Sequence, residues 1–168
     1  MSCTYQTKDI SLPINYRVIR KNKTITDKNA KEKQRAEFTK NESMLAMLKM
    51  IKVNKVKYRY ILMDSWYTTT NNLKYIHKNL NKLFVSALKS NRTFKFLNED
   101  PKQFRKVRMG DFQPNEVYIV ELKGLPFPVY LTKQVFQNGD GKEASLYLIT
   151  NDEFLNYDST IKVYKKRW

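Results

Sequence analysis

RYILMDSWYTTTNNLKYI, residues 59–76, sets a short apolar run, an acid, three threonines and a helical period in immediate succession. Tyr60-Ile61-Leu62-Met63 is too short for a helix and suits a buried strand. Thr68-Thr69-Thr70 offer side-chain oxygens for the unpaired N–H groups of a helix start. Leu73, Ile76 and Leu80 then recur at helical spacing, so the segment lays one apolar stripe on a core. LFVSAL, residues 83–88, reads as a second buried strand. Asp64 falls where the first strand meets its turn. A carboxylate there is held on a rigid element, its oxygens facing the crevice that α/β folds use for ligands. The same residue type also caps turns through its own backbone, and this stretch alone leaves both readings open.

Toward the N-terminus, SLPINYRVIRK alternates around Leu12, Ile14, Tyr16 and Val18 and predicts a strand, with Pro13 near an edge. TITDKNAKEKQR has no apolar period and is expected to be a mobile polar connection. Thr39-Lys40-Asn41-Glu42 matches a capping box, in which hydroxyl and carboxylate satisfy each other's backbone N–H groups. Met44, Leu45, Leu48 and Ile51 follow on one helical face. From about residue 100 the period becomes two. VYIVEL (117–122), PVYLTKQVF (128–136) and ASLYLIT (144–150) predict an antiparallel sheet, and Asn138-Gly139-Asp140-Gly141 predicts the hairpin turn between the last two. Asp158-Ser159-Thr160 offers an N-cap, after which Ile161, Tyr164 and Trp168 begin a helix.

The chain carries 32 Lys and Arg against 16 Asp and Glu, an excess expected of a surface that gathers polyanions. The excess is uneven: residues 101–155 hold 7 basic and 7 acidic side chains, whereas residues 1–60 hold 15 and 5 and the last 13 hold 4 and 1. A neutral module therefore interrupts a basic body. No apolar run approaches the ~20 residues of a membrane span, and Met1-Ser2-Cys3-Thr4 has no leader pattern. A single cysteine excludes an internal disulfide framework, so the expectation is a soluble protein of a reducing cytoplasm. One cysteine and one histidine give no zinc-ligand spacing, and His77 reads as ordinary helix surface. The four glycines are scattered turn residues, not a phosphate loop.

RYILMDSWYTTTNNLKYI, LFVSALKSNR, VYLTKQVFQNGDGKEASLYLIT and the terminal YKKRW together resemble insertion-sequence transposases of the DDE type. The branch is the one whose third acid lies in a Tyr-x-x-Arg-x-x-x-Glu-x-x-x-x-x-x-Lys signature. The resemblance implies an α/β fold with a ribonuclease H-like (retroviral integrase-like) core, here incomplete, and an antiparallel β-rich insertion. Residues 1–98 would be part of that core, 99–150 the insertion and 151–168 the truncated start of the last core helix. Asp64 matches the second catalytic Asp and would be a metal ligand; Tyr164 and Arg167 match the signature Tyr and Arg, which in the family contact DNA. The signature Glu would fall four residues past Arg167, and the first Asp would precede Met1, since Asp9 reads as loop.

The resemblance also implies metal-dependent phosphoryl transfer on double-stranded DNA, at transposon ends and then at target DNA, with Mg²⁺ or Mn²⁺ held by three carboxylates. With one carboxylate of three, the expectation is a fragment that binds metal weakly or not at all and is inactive alone. The complete enzyme would be a cytoplasmic, DNA-associated prokaryotic protein with no membrane partner, compatible with a homodimer. A non-enzymatic basic nucleic-acid-binding protein, with Asp64 a mere cap, is the alternative. Lys89, Asn91 and Arg92 follow the strand beside Asp64 and, with Lys165 and Lys166, are the candidate phosphate contacts. Trp66 and Tyr67 read as core packing in preference to base stacking, as do Phe104, Phe112, Phe127 and Phe136.

Overall fold

The computed structural model describes residues 1–26, 30–99 and 103–167. It divides into two compact units, Met1–Val56 and Lys57–Trp168.

In the first unit β1 (Ser2–Gln6) pairs antiparallel with β2 (Ser11–Tyr16), and Asp9 sits in the turn between them. The expected polar connection is instead a second hairpin, in which β3 (Lys21–Thr26) pairs with β4 (Glu32–Ala36). Two-stranded pairing satisfies the backbone without any apolar period, and Gln34 adds a cross-strand hydrogen bond to Thr24 Oγ1 at 3.2 Å. Residues 27–29 of that stretch lie outside the described residues. α1 (Lys40–Val53) begins at Thr39 with the expected capping box complete: Glu42 N–H donates to Thr39 Oγ1, and Thr39 N–H to Glu42 Oε2 at 2.7 Å. Its stripe of Met44, Met47, Leu48 and Ile51 is buried.

The second unit is built on one seven-stranded sheet. β5 (Tyr60–Met63) lies parallel to β6 (Leu83–Leu88), and the helix between them is α2 (Thr70–Lys74), capped by Thr69 and continued by a π-helical turn at Tyr75–Asn79. Leu73 and Ile76 on its apolar stripe are fully buried. β7 (Thr93–Phe96), β8 (Arg105–Lys106), β9 (Val117–Leu122), β10 (Val129–Gln137) and β11 (Glu143–Thr150) complete the order β5-β6-β11-β10-β9-β7-β8, with every pairing after β5·β6 antiparallel. The β10–β11 turn is the predicted one, closed by Asn138 N–H to Lys142 O at 2.8 Å, with Gly141 at φ 73. The strands of residues 117–150 thus join the same sheet as β5 and β6. The division between units falls after Val56.

The sheet must curl. β6 and β7 are four positions apart in it, about 19 Å if flat at ~4.8 Å per strand. The backbone from Leu88 to Thr93 spans at most ~17 Å. The Phe94, Phe96, Phe112 and Tyr118 rings form an aromatic cluster, with the Phe94 and Phe112 rings at 4.9 Å.

α3 (Tyr157–Lys165) decides where the site lies. Its N-cap is Asn156, whose Oδ1 accepts from Ser159 N–H at 2.9 Å, and not the expected Asp158-Ser159-Thr160. Ser159 and Thr160 instead turn their hydroxyls back to Asn156 O, while Asp158 falls in the first turn, where the helix dipole favours an acid. β11 runs antiparallel to β6, so α3 starts at the N-terminal end of β6 and climbs back along it. Nine residues at ~1.5 Å each cover about four strand residues. That length carries α3 from the level of Val85 to the end of β6. It packs through Tyr164, Ile161 and Val163 on Val85, Ala87 and Leu148. Trp168, expected to extend this stripe, lies outside the described residues.

Candidate functional site

Asp64 immediately follows Met63 at the C-terminal end of β5. The chain then makes a tight turn: Tyr67 N–H donates to Asp64 O at 2.9 Å, and Asp64 Oδ1 accepts from Ser65 Oγ at 3.1 Å and Trp66 N–H at 3.4 Å. Thr68 anchors the far side of the turn. Its buried hydroxyl lies within hydrogen-bond reach of Asp64 O, Ala87 O and the Ser86 hydroxyl, tying the turn to β6. One carboxylate oxygen thus fastens the turn, and the other faces outward.

The outward oxygen meets α3. Arg167 Nη1 lies 3.3 Å from Asp64 Oδ2, and the two side chains keep 19% and 38% of their surface exposed. Tyr164 stands one helical turn earlier, buried, with the Arg167 guanidinium 5.1 Å from its ring centre. Burial pushes the Tyr164 phenol above its ordinary pKa; Arg167 opposes that shift and Asp64 adds to it. Residues 103 positions apart thus converge on an open cleft of ≈ 390 Å³ lined by Asp64, Ser65, Ser90, Ser145, Tyr147 and Arg167.

A family model described as archaeal putative transposase ISC1217, an insertion-sequence transposase of the DDE type, matches residues 8–168. The chain belongs to this transposase family. No curated protein matches it.

The transposase chain distributes its other expected site residues unevenly. Lys89, just past β6, holds its ammonium 3.7 Å from the centre of the Trp66 ring, beside the cleft. Arg92 is turned away, its Nη2 donating to Thr70 Oγ1 at 3.2 Å in the first turn of α2. Asn91 is exposed, as are Lys165 and Lys166 on the last turn of α3.

The residues around Asp64 do not fit a resident divalent metal. Among the described residues no group of three or more His, Cys, Asp or Glu side chains is placed to hold one. Among the described residues Asp64 is the single carboxylate lining the cleft, and a guanidinium already faces it. A hard dication needs several oxygen ligands.

Three sequence readings change. Trp66 is not core: it is 64% exposed, because the turn that holds Asp64 points residue 66 outward. His77 is not plain surface. It stacks on Phe127 with centroids 3.9 Å apart and meets Asn151 at 3.1 Å, and burial lowers its pKa. Of the four phenylalanines read as sheet core, Phe112 is fully buried, Phe127 is half-buried against His77, and Phe104 and Phe136 are exposed. Asp152 has a role that sequence reasoning missed. It is buried, accepts a hydrogen bond from Tyr60 and lies 3.9 Å from Arg59, anchoring the loop that launches α3. Only the placing of Tyr60 at the start of β5 pointed there. No helix of the described residues is long and apolar enough to cross a membrane.

Proposed function

We propose that this chain is the part of a DDE transposase that carries the second catalytic Asp, Asp64, and grips double-stranded DNA through the basic end of α3. The observation that carries the reading is the meeting of Asp64, Tyr164 and Arg167 at one cleft, from two segments that the sequence signature joins. The parallel pair β5·β6, with its intervening helix, an acid at the strand end and a returning helix over the sheet, supports a ribonuclease H-like core. In this reading residues 99–150 are the β-rich insertion, α3 is the start of the last core helix, and the complete enzyme is a cytoplasmic protein that works on transposon ends and target DNA as a homodimer. Lys89, Lys165, Lys166 and Arg167 contact phosphate.

Mg²⁺ or Mn²⁺ belongs to the complete enzyme of the family. Among the described residues the donor set around Asp64 is small for such a dication. What these residues do by themselves is bind and orient. The Tyr164 and Arg167 face sits against Asp64, Arg167 offers its guanidinium fork to a phosphate, and the bond to Asp64 fixes where that fork points. The second reading, a non-enzymatic DNA-binding protein, is favoured by the same small donor set.

Incubation of supercoiled plasmid with the 168-residue chain and Mg²⁺ or Mn²⁺ tests the proposal. The expected result is neither nicking nor joining, with plasmid binding that weakens steeply as salt rises. Cleavage that disappears in Asp64→Asn would show that a full set of ligands exists within these residues and would overturn the account of the site.

A further inference from the structure

We propose that His77 is a protonation-sensitive latch: as a neutral ring it accepts a hydrogen bond from Asn151 and so holds the end of β11, from which α3 is launched, against β6. The latch is independent of the DNA-binding reading. It concerns how firmly the helix that bears Tyr164 and Arg167 is anchored. Three observations converge on it, beginning with Asn151, the residue after β11. Its Oδ1 accepts from Phe84 N–H at 2.8 Å, and its Nδ2 donates to Lys82 O at 3.1 Å. The side-chain amide thus continues the β11·β6 ladder one step past its last backbone pair, Thr150 with Val85. Those two backbone partners fix which way the amide faces, because the oxygen must meet the N–H and the nitrogen the carbonyl. The atom 3.1 Å from His77 Nδ1 is therefore the donor Nδ2. Nδ1 must accept, which places the ring proton on Nε2.

Second, the half-buried imidazole is held in place, stacked on Phe127 with centroids 3.9 Å apart. It lies in the π-helical turn Tyr75–Asn79, a rare local geometry that is frequent at functional positions. Third, among the described residues no carboxylate acts on the ring to favour a positive charge. On its own helix Lys74 and Lys78 are cations, and burial first, then the Lys78 charge, lower the imidazole pKa. Lys82 gives Asn151 its carbonyl and keeps its ammonium 5.3 Å from the centre of the Tyr58 ring. The residues 125–128 that bring Phe127 hold no charged side chain. After Asn151, the Asp152 carboxylate is engaged by Tyr60 and Arg59, and Glu153 is exposed. Protonation sets an Nδ1–H against the Asn151 amide hydrogens, two donors with no acceptor between them. The contact then opens, by the amide turning off Phe84 and Lys82 or by the ring leaving Phe127. Either way the end of β11 loses its tie to β6, and the loop that starts α3 is loosened.

The chain has one histidine, so its imidazole is read directly. Long-range ¹H–¹⁵N NMR of the full chain at about pH 7.5 is expected to show Nδ1 bare and Nε2 protonated. The titration midpoint should lie below the ordinary 6.5, and the Phe84 amide should lose protection from solvent exchange below that midpoint. Because the folded pKa is lowered, the unfolded chain takes the proton more readily. The stability that the latch adds is complete above 6.5 and is lost as pH falls to the folded value. His77→Gln keeps an acceptor oxygen and cannot be protonated. In urea melts between about pH 7.5 and about pH 5.5, the unfolding constant of the parent should rise relative to that of His77→Gln, by up to about tenfold for each unit by which the pKa is lowered. An Nδ1–H tautomer at neutral pH, a midpoint at or above 6.5, or parallel pH profiles of parent and His77→Gln would overturn the latch. If His77→Gln does not fold, the tautomer and midpoint of the parent decide alone.

Discussion

β2 and β11 both alternate in sequence, and they end in different environments. In β2, Leu12, Ile14 and Tyr16 are 52%, 37% and 75% exposed, whereas Leu148 and Ile149 of β11 are completely buried. The difference lies in what surrounds each strand. β2 pairs with β1 alone in a two-stranded sheet, and a ribbon of two strands has too little surface to bury both of its faces. β11 is third in a seven-stranded sheet with α3 against it, and Tyr147, Leu148, Ile149 and Thr150 are buried in succession. A period of two dictates extended backbone and says nothing about how many layers will cover it.

This contrast predicts a steep gradient of mutational cost. Leu148→Ala removes a fully buried side chain beneath α3. It should cost ~2–5 kcal/mol, a large share of the ~5–15 kcal/mol that a domain has. A urea melt followed by far-ultraviolet circular dichroism would register it, and a midpoint unchanged from the parent would mean that α3 does not pack on the sheet.

A smaller effect belongs to the half-buried Tyr60–Asp152 contact. Tyr60→Phe leaves the Asp152 carboxylate without one donor and should cost ~1–3 kcal/mol. Burial first, and then the bond to Asp152, raise the Tyr60 pKa from 10.0 to about 12. A group whose folded pKa is raised contributes stability that is fully present below the unfolded value and disappears as pH climbs to the folded one. The contribution therefore fades between 10.0 and about 12. Urea midpoints at either end of that window, parent against Tyr60→Phe, isolate it from the rest of the molecule. A parent and variant that weaken in parallel would remove the Asp152 contact from the account.

At the low end, Leu12→Ser on the exposed face of β2 should shift stability by less than ~0.5 kcal/mol. A cost as large as that of Leu148→Ala would mean that β2 is covered in solution.

Legibility in the sequence follows the same physics. The segment from Tyr60 to Leu88 is readable because cap, apolar period and turn agree locally, and the Thr39–Glu42 capping box needs only neighbouring residues. Asp64, Tyr164 and Arg167 can be named from sequence, but not the reach of Arg167 to the Asp64 carboxylate, because that contact depends on the length of α3 and the direction of β11. The hairpin β3·β4 is hidden because nothing apolar marks it, and Trp66 reads wrongly because a turn, unlike a helix or strand, has no period to say which way residue 66 points. Asp152 is hidden because its partners, Arg59 and Tyr60, lie more than ninety residues away.

The central claim is that DNA meets the end of α3 beside Asp64 and not the neutral stretch of residues 101–155. It is tested most directly by the salt dependence of duplex binding in two variants: Lys165→Gln, Lys166→Gln and Arg167→Gln together, against Lys123→Gln, Lys133→Gln and Lys142→Gln together. Removing one phosphate contact lowers the slope of log K against log salt by about 0.9. The account predicts a clear fall in slope and affinity in the first variant and little change in the second. Equal falls in both, or a fall confined to the second, would contradict it.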